Sequence, residues 1–164
     1  MPRKFKMAFS IYKSPTPVYS EKVFLLDNNT TYKVGALVGL DQDVVVPYSG
    51  QQVVFGILTA ITAKNGEVLG QESILEIITP EDNTNTKTYW GKVVVLNEGV
   101  SLLADFNSSI ETYQIGATYD IDAGSEGLLL DASTVKNPGD EGYPRKFLLV
   151  RKVSNTKGEV KVIM

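Results

Sequence analysis

Short apolar runs separated by glycine, proline and asparagine succeed one another along the chain, and this rhythm limits its possible folds more than any other feature. The clearest unit spans residues 51–80, where two apolar segments flank Asn65 and Gly66, the dipeptide best suited to a type I′ hairpin turn. Helical periodicity is almost absent. We therefore predict an all-β fold, a single β-barrel or β-sandwich of about ten short strands. Further turns are predicted at residues 97–99, 123–127, 133–144 and 154–159.

One phrase occurs twice in the chain. Residues 31–41 read TYKVGALVGLD and residues 112–122 read TYQIGATYDID, with Thr, Tyr, Gly, Ala and Asp at the same offsets. A glycine inside a strand permits a sharp bend or the close approach of a second strand. We interpret the phrase as a duplicated strand corner within one barrel, with chance convergence as the alternative. A catalytic pair formed by Asp41 and Asp122 is a third reading, although aspartate at a strand end is ordinary turn chemistry.

The chain contains neither cysteine nor histidine. Disulfides, thiolate metal sites and hydrolases of the Ser-His-Asp or Cys-His type are therefore excluded, because no thiol and no imidazole is present. Carboxylates, lysine or tyrosine would have to supply any acid-base chemistry. Residues 120–127, DIDAGSEG, group three acidic residues, but their spacing departs from that of an EF-hand loop, and a hairpin turn is preferred over a calcium site. We predict a protein that is not an enzyme and has no metal or cofactor.

The N-terminal segment differs in charge from the rest of the chain. Residues 1–20 carry four basic residues and no acidic one, so the other 144 residues hold a net charge of −7 within the total of −3. Phe5, Met7, Phe9 and Ile11 alternate with charged or small residues, which is the pattern of a strand with one face to cover. We predict an extended arm over residues 1–20 and a β domain over residues 21–164.

We expect this arm to contact a partner, because an extended segment can add a strand to the edge of another sheet. Prolines at positions 15 and 17 favour an extended backbone where the arm leads into the β domain. A disordered terminus is the alternative. The candidate partner-binding residues are Arg3, Lys4, Phe5, Lys6, Phe9, Ile11, Tyr12, Pro15, Pro17 and Tyr19.

Two further partner classes receive little support from the sequence. The acidic body disfavours general nucleic-acid binding, which needs a basic face, although the basic residues of the closing hairpin keep this idea open. The longest apolar run, residues 53–63, is far shorter than the ~20 residues that cross a bilayer, so we predict no membrane partner. Tyr89 and Trp90 are a candidate stacking platform for sugar or single-stranded nucleic acid, but a lone tryptophan on a strand is more often part of a core or an interface.

A basic arm rich in aromatic residues, a short proline pivot and a β domain without cysteine or histidine together give the chain a layout that resembles bacteriophage head decoration (cement) proteins. The segments that carry the resemblance are residues 32–41, 53–61, 112–122 and the closing residues 145–164. The resemblance implies a small barrel-like or β-tulip-like protein that binds the outside of an assembled capsid. It also implies a homo-oligomer, often a trimer, that clamps neighbouring major capsid subunits on the virion after synthesis in the host cytoplasm.

Three other functions remain as alternatives. The chain could be another virion component, such as a head-fibre base or a tail protein, which would bind a vertex or a tail instead of covering the shell. It could be a carbohydrate-binding β-sandwich, if Trp90 is exposed beside Tyr89. It could be an enzyme that uses carboxylates, if two acidic side chains converge in a pocket and one has a strongly raised pKa.

Overall fold

The fold is all-β in the computed structural model of the chain, as the sequence predicts. The structure describes residues 9–13, 21–65, 67–72, 75–83, 88–97 and 99–163, with the backbone alone at residues 11–13. Fourteen strands lie in these ranges. They are β1 Ser10–Lys13, β2 Glu21–Leu25, β3 Thr31–Lys33, β4 Leu37–Asp41, β5 Val44–Pro47, β6 Val53–Thr62, β7 Val68–Gly70, β8 Glu76–Ile78, β9 Trp90–Val95, β10 Ser101–Asp105, β11 Thr118–Ile121, β12 Leu130–Lys136, β13 Phe147–Ser154 and β14 Lys157–Val162.

Two six-stranded antiparallel sheets and a two-stranded sheet contain these strands. Sheet I has the order β1-β10-β14-β13-β11-β12. Sheet II has the order β2-β9-β6-β4-β5, with β7 added beside β6, and β3 pairs with β8 separately. Among the described strands neither large sheet closes into a barrel, and side chains of both sheets meet in one core, so the architecture is sandwich-like.

The chain contains a structural duplication: the same five-stranded topology occurs twice. The first repeat, residues 21–97, contributes β2, β4, β5, β6 and β9, and the second repeat, residues 100–163, contributes β10 to β14. In both sheets these five strands lie in the order first, fifth, fourth, second, third. The remaining strands are additions: β1 extends the sheet of the second repeat, while β3, β7 and β8 belong to the first repeat.

The duplication extends to the irregularities of strand pairing. Between the fourth and fifth strands of the first repeat, a β-bulge lies between Leu58 and Ala60. The second repeat has the matching bulge between Leu149 and Arg151. A bulge inserts one unpaired residue at a particular place in a strand, so its recurrence at equivalent positions shows that register as well as strand order is repeated.

An isolated parallel bridge closes one end of each five-stranded unit. Leu26, directly after the first strand of the first repeat, bridges to Val45 in β5. Phe106, directly after the first strand of the second repeat, bridges to Leu130 in β12. These bridges join the two edge strands of each five-stranded unit, so both units are curved in the same way.

The twice-written phrase forms the same turn in both repeats. The N–H of Ala36 donates to the Lys33 carbonyl at 3.2 Å, and the N–H of Ala117 donates to the Gln114 carbonyl at 3.0 Å. The glycine before each alanine has a positive φ, 94° at position 35 and 86° at position 116, which a type II turn requires at its third residue. The interpretation as a repeated corner is therefore confirmed for the turn itself, but a strand precedes the turn only in the first repeat, and the strands that follow the two turns lie in different sheets.

Both faces of β6 are buried, which explains the long apolar run of the sequence. On β6, Val54 and Ile57 contribute to the larger core, which also contains Leu102, Tyr119 and Phe147 of the second repeat. Leu58 and Ile61, on the opposite face of the same strand, contribute to a smaller core that lies within the first repeat. A strand buried on both faces reads as a continuous apolar run, as residues 53–62 do.

The predicted hairpin around Asn65 is confirmed. Thr62 at the end of β6 pairs with Val68 at the start of β7, and the N–H of Ala63 donates to the Glu67 carbonyl at 2.8 Å. Gly66 itself lies outside the described residues. The two strands predicted on either side of residues 97–99 also exist, but β9 belongs to sheet II and β10 to sheet I, so this turn is the connection between the repeats.

Two fully buried tyrosines should respond in opposite ways to loss of their hydroxyl. The Tyr32 hydroxyl donates to the Val45 carbonyl and accepts from the Asp27 N–H at 2.8 Å. The Tyr48 hydroxyl has no hydrogen-bond partner within the described ranges. We expect Tyr32→Phe to lower the free energy of unfolding by about 1–3 kcal/mol, because it leaves two buried backbone groups without a partner, and Tyr48→Phe to leave it unchanged or raise it. Urea unfolding followed by circular dichroism measures both, and equal losses would contradict this assignment.

Candidate interaction surfaces

The described part of the N-terminal arm packs on its own chain. β1 pairs antiparallel with β10, with Ile11 opposite Leu102. Phe9 is only 4% exposed, and its ring centroid lies 6.3 Å from that of Phe147 in the larger core. The Phe9 N–H donates to the Gly35 carbonyl of the first repeat at 3.0 Å. This segment therefore connects the two repeats, and the Phe9 side chain has no surface left for a partner.

The other predicted arm residues divide into two groups. Ile11 and Tyr12 lie in β1, the edge strand of sheet I. Arg3, Lys4, Phe5, Lys6, Pro15, Pro17 and Tyr19 lie outside the described residues. Contact between these residues and another chain stays a prediction.

Several aliphatic side chains are exposed on the outside of the molecule. Three of them are more than 60% exposed: Val53 at the start of β6, Ile78 at the end of β8, and Ile115 in the turn before β11, which reaches 89%. Single exposed aliphatic residues are common on protein surfaces. Ile115 is nevertheless unusual, because its equivalent in the first repeat, Val34, is 3% exposed.

Each repeat has a cleft beside its parallel bridge, at equivalent positions. The cleft of the first repeat has a volume of about 410 Å³ and is lined by Leu25, Asp27, Asp41, Gln42, Asp43 and Val44. The cleft of the second repeat has a volume of about 460 Å³ and includes Asp105 and Lys157, whose charged atoms are 3.7 Å apart. Three aspartates line the first cleft, whereas the second holds an ion pair, so the two clefts differ in chemistry.

The acidic residues singled out in the sequence have structural partners. Asp122 caps a short 3₁₀ helix, Ala123–Ser125, by accepting from the Gly124 N–H at 3.1 Å, and its other oxygen accepts from the Asn107 amide at 3.2 Å. Asp41 lines the cleft of the other repeat, so the two aspartates lie at equivalent positions of separate units. Within the described residues, no three acidic side chains are grouped in a way that could hold a metal ion.

The shifted pKa values have structural causes. Burial is the main factor that raises the pKa of Tyr32, Tyr48 and Tyr119 above the ordinary value of 10.0, and the Asp120 charge adds to the effect at Tyr48. The Ser133 hydroxyl lowers the pKa of Asp131 by donating a hydrogen bond to its carboxylate at 2.7 Å. Packing and local hydrogen bonding therefore account for these shifts in pKa.

Two other sequence candidates are occupied by packing or by polar contacts. Tyr89 packs against the smaller core, and consecutive residues of an extended chain face opposite sides, so Tyr89 and Trp90 do not form one stacking platform. In the closing hairpin, the Arg145 guanidinium donates to the Thr134 carbonyl at 3.2 Å. The Nε atom of Arg151 lies 3.4 Å from Oε1 of Glu159.

Sequence reasoning missed the contrast between Val34 and Ile115. The sequence contained a signal, since the two residues occupy the same place in the repeated phrase. Their difference in exposure, however, depends on residues 63–89, which only the first repeat contains between its fourth and fifth strands.

No helix within the described ranges has the length and apolar character needed to cross a membrane. No protein-family model, no curated protein and no solved structure matches the chain.

Proposed function

We propose that this chain is a virion structural protein that binds the outer surface of an assembled phage capsid and stabilises contacts between major capsid subunits. It would act as a homo-oligomer, with a trimer favoured, and its place would be the virion surface. The proposal rests on the strand at the edge of sheet I together with the composition of the residues that precede it.

The edge position of β1 is the observation that carries the proposal. β1 has β10 on one side, and among the described residues no strand lies on its other side. An open strand edge presents backbone N–H and C=O groups that can pair with a strand of another protein. In the sequence, β1 directly follows a segment that contains Arg3, Lys4, Phe5 and Lys6, and these side chains can add charge-assisted and apolar contacts.

Exposed aliphatic residues on both repeats give further support. Val53 and Ile78 belong to the first repeat and Ile115 to the second, and each is more than 60% exposed. A protein that contacts several neighbours in a lattice needs contact points on more than one side. Many modest contacts repeated over a shell reinforce one another, because each binding event raises the effective concentration for the next.

The structure changes the design of the deletion that tests the proposal. The sequence suggests removing residues 1–19, but this truncation would also remove Phe9 from the larger core and β1 from sheet I. Loss of capsid binding could then result from a damaged fold. Removing residues 1–8 alone keeps Phe9 and β1, and it tests Arg3, Lys4, Phe5 and Lys6 directly.

We expect removal of residues 1–8 to weaken binding to empty capsids of the encoding phage by at least about tenfold, a loss of about 1.4 kcal/mol. The triple variant Arg3→Glu, Lys4→Glu, Lys6→Glu should have a similar effect, because these basic side chains supply the charged contacts. Co-sedimentation of the purified chain with capsids measures binding, and thermal unfolding verifies the fold.

A matched control reverses three charges elsewhere. Lys22, Lys64 and Lys146 are exposed residues, and changing them to Glu alters the net charge by the same amount as the N-terminal triple variant. Capsid binding should remain near that of the unaltered chain. Undiminished binding after removal of residues 1–8, equal losses in both triple variants, or an intact chain that does not bind capsids would each refute the proposal.

A further inference from the structure

In the first repeat, the segment before the type II turn is covered by a strand. β3 pairs antiparallel with β8, with Tyr32 opposite Ile77, and the Val34 N–H donates to the Leu75 carbonyl at 2.9 Å. Leu75 and Ile77 pack against the smaller core, so the covering strand places apolar side chains two residues apart on its inner face. Val34 is 3% exposed as a result.

The second repeat has a similar sequence at this place without a covering strand, and Thr112 there lies in a turn and not in a strand. Residues 112–115 read TYQI where residues 31–34 read TYKV, and Tyr113 packs against the larger core as Tyr32 packs in the smaller one. β13 and β14 are joined by a short turn, so the second repeat has no counterpart of β8. No hydrogen bond joins the backbone of residues 112–115 to another strand within the described ranges, and Ile115 is 89% exposed.

Nothing in the described part of the second repeat takes the place of β8. The long loop after β12 approaches the turn from a different side, since the Tyr143 hydroxyl donates to the Gly116 carbonyl at 3.1 Å. The equivalent carbonyl of the first repeat, that of Gly35, accepts from the Phe9 N–H. The loop after β12 therefore occupies the place of the N-terminal segment and leaves the β8 position open.

We propose that residues 112–115 form a docking edge for an extended segment of a partner protein, which adds as an antiparallel strand in the manner of β8. The first repeat indicates the chemistry of this segment: apolar side chains two residues apart, directed toward Tyr113 and the larger core, and a carbonyl that accepts from the Ile115 N–H. This docking edge is independent of the capsid proposal, because it follows from the comparison of the two repeats alone.

The docking edge differs from its covered counterpart in charge. In the first repeat, the Lys33 Nζ atom lies 3.9 Å from Oε2 of Glu76 in the covering strand and 3.1 Å from Oε1 of Glu126. Gln114 occupies the place of Lys33 in the second repeat. A partner segment therefore needs no acidic residue at the position of Glu76, and backbone pairing together with apolar contact determines its binding.

The chain itself supplies a suitable probe. A synthetic peptide with residues 71–80, QESILEIITP, contains the strand that covers the first repeat. We expect saturable binding of the fluorescently labelled peptide to the full chain, measured by anisotropy. Ile115→Asp should weaken this binding at least about tenfold, because it places a charge against the incoming apolar side chains. Ile115 is almost fully exposed, so this variant should fold normally.

Two controls separate strand addition from nonspecific apolar contact. Val53→Asp removes another exposed aliphatic residue and should leave peptide binding unchanged. In the first repeat, the Thr79 N–H donates to the Thr30 carbonyl and the Leu75 carbonyl accepts from Val34, so residues 75, 77 and 79 take the hydrogen-bonding positions. A peptide N-methylated at Ile77 should therefore lose binding, whereas one N-methylated at Glu76 should retain it.

Three results would overturn the proposal. They are the absence of saturable peptide binding, binding that Ile115→Asp does not weaken, and equal effects of the two N-methylated peptides. Sedimentation of the intact chain distinguishes a further occupant: a dimer that excludes the peptide and is lost in Ile115→Asp would show that a second copy of the chain, and not a different protein, covers this edge.

Discussion

Replacing Gly127 with Ala should lower the free energy of unfolding by about 2–5 kcal/mol. Gly127 has a φ of 85°, and a Cβ atom there would lie 2.4 Å from the Leu37 carbonyl oxygen. The left-handed conformation costs a non-glycine residue about 1–2 kcal/mol, and overpacking adds about 1–3 kcal/mol, because a backbone atom cannot rotate away. The Leu37 N–H also donates to the Gly127 carbonyl at 2.9 Å, so the strain falls on a hydrogen bond between the two repeats.

Gly139 provides the matched control for this substitution. It has a similar φ of 96°, but a Cβ atom there would meet nothing within 4 Å. Gly139→Ala should therefore lower the free energy of unfolding only by the cost of the left-handed backbone conformation, about 1–2 kcal/mol. Urea unfolding of both variants measures the two losses. If the two substitutions destabilise the protein equally, the contact between Gly127 and Leu37 does not have the role assigned to it.

Asn83→Ala should lower the free energy of unfolding by about 3 kcal/mol. The Asn83 amide donates to the Leu26 carbonyl at 2.7 Å and to the Tyr89 carbonyl at 3.1 Å, and its oxygen accepts from the Tyr89 N–H at 3.0 Å. Its side chain is fully buried. Alanine would leave the Leu26 carbonyl and the Tyr89 N–H without their partner, whereas the Tyr89 carbonyl would keep the Leu26 N–H at 3.4 Å. Each unsatisfied buried group costs about 1–3 kcal/mol.

A second asparagine separates this effect from the general consequence of losing an amide. Asn97 is exposed, and its side-chain oxygen accepts from the nearby Gly99 N–H at 2.8 Å. Asn97→Ala should change the free energy of unfolding by no more than about 0.5 kcal/mol. Urea unfolding gives both values, and amide exchange of Tyr89 should become faster only in Asn83→Ala. A small loss at both positions would mean that the Asn83 amide does not stabilise the pairing of this part of the chain with Leu26 and Tyr89.

The fold class could be predicted from the sequence because short strands and tight turns leave local signals. Asn65 identified a hairpin, and the repeated phrase identified a corner that occurs twice. The extent of the duplication could not be predicted, because most equivalent positions hold different side chains, such as Leu26 and Phe106 at the parallel bridges. Strand order and bulge position depend on pairing between distant residues, and a local pattern contains no information on that pairing.

The candidate site was less predictable for a related reason. Alternation around Phe9 predicted an extended segment with one face to cover, and the structure confirms the strand Ser10–Lys13 and the burial of Phe9. It could not indicate which chain covers that face, since a strand that adds to its own sheet and one that adds to a partner need the same side chains. The exposure of Ile115 likewise depends on the absence of a segment, and only comparison of the two repeats in three dimensions shows this absence.

The pairing of β1 with β10 has a consequence for biosynthesis. β1 is the first described strand to leave the ribosome, but its neighbour in the sheet is made only after the whole first repeat. N-terminal units generally fold first during translation. The first repeat can therefore fold while β1 is still unpaired. Until β10 has been synthesised, β1 can pair incorrectly with strands of other nascent chains.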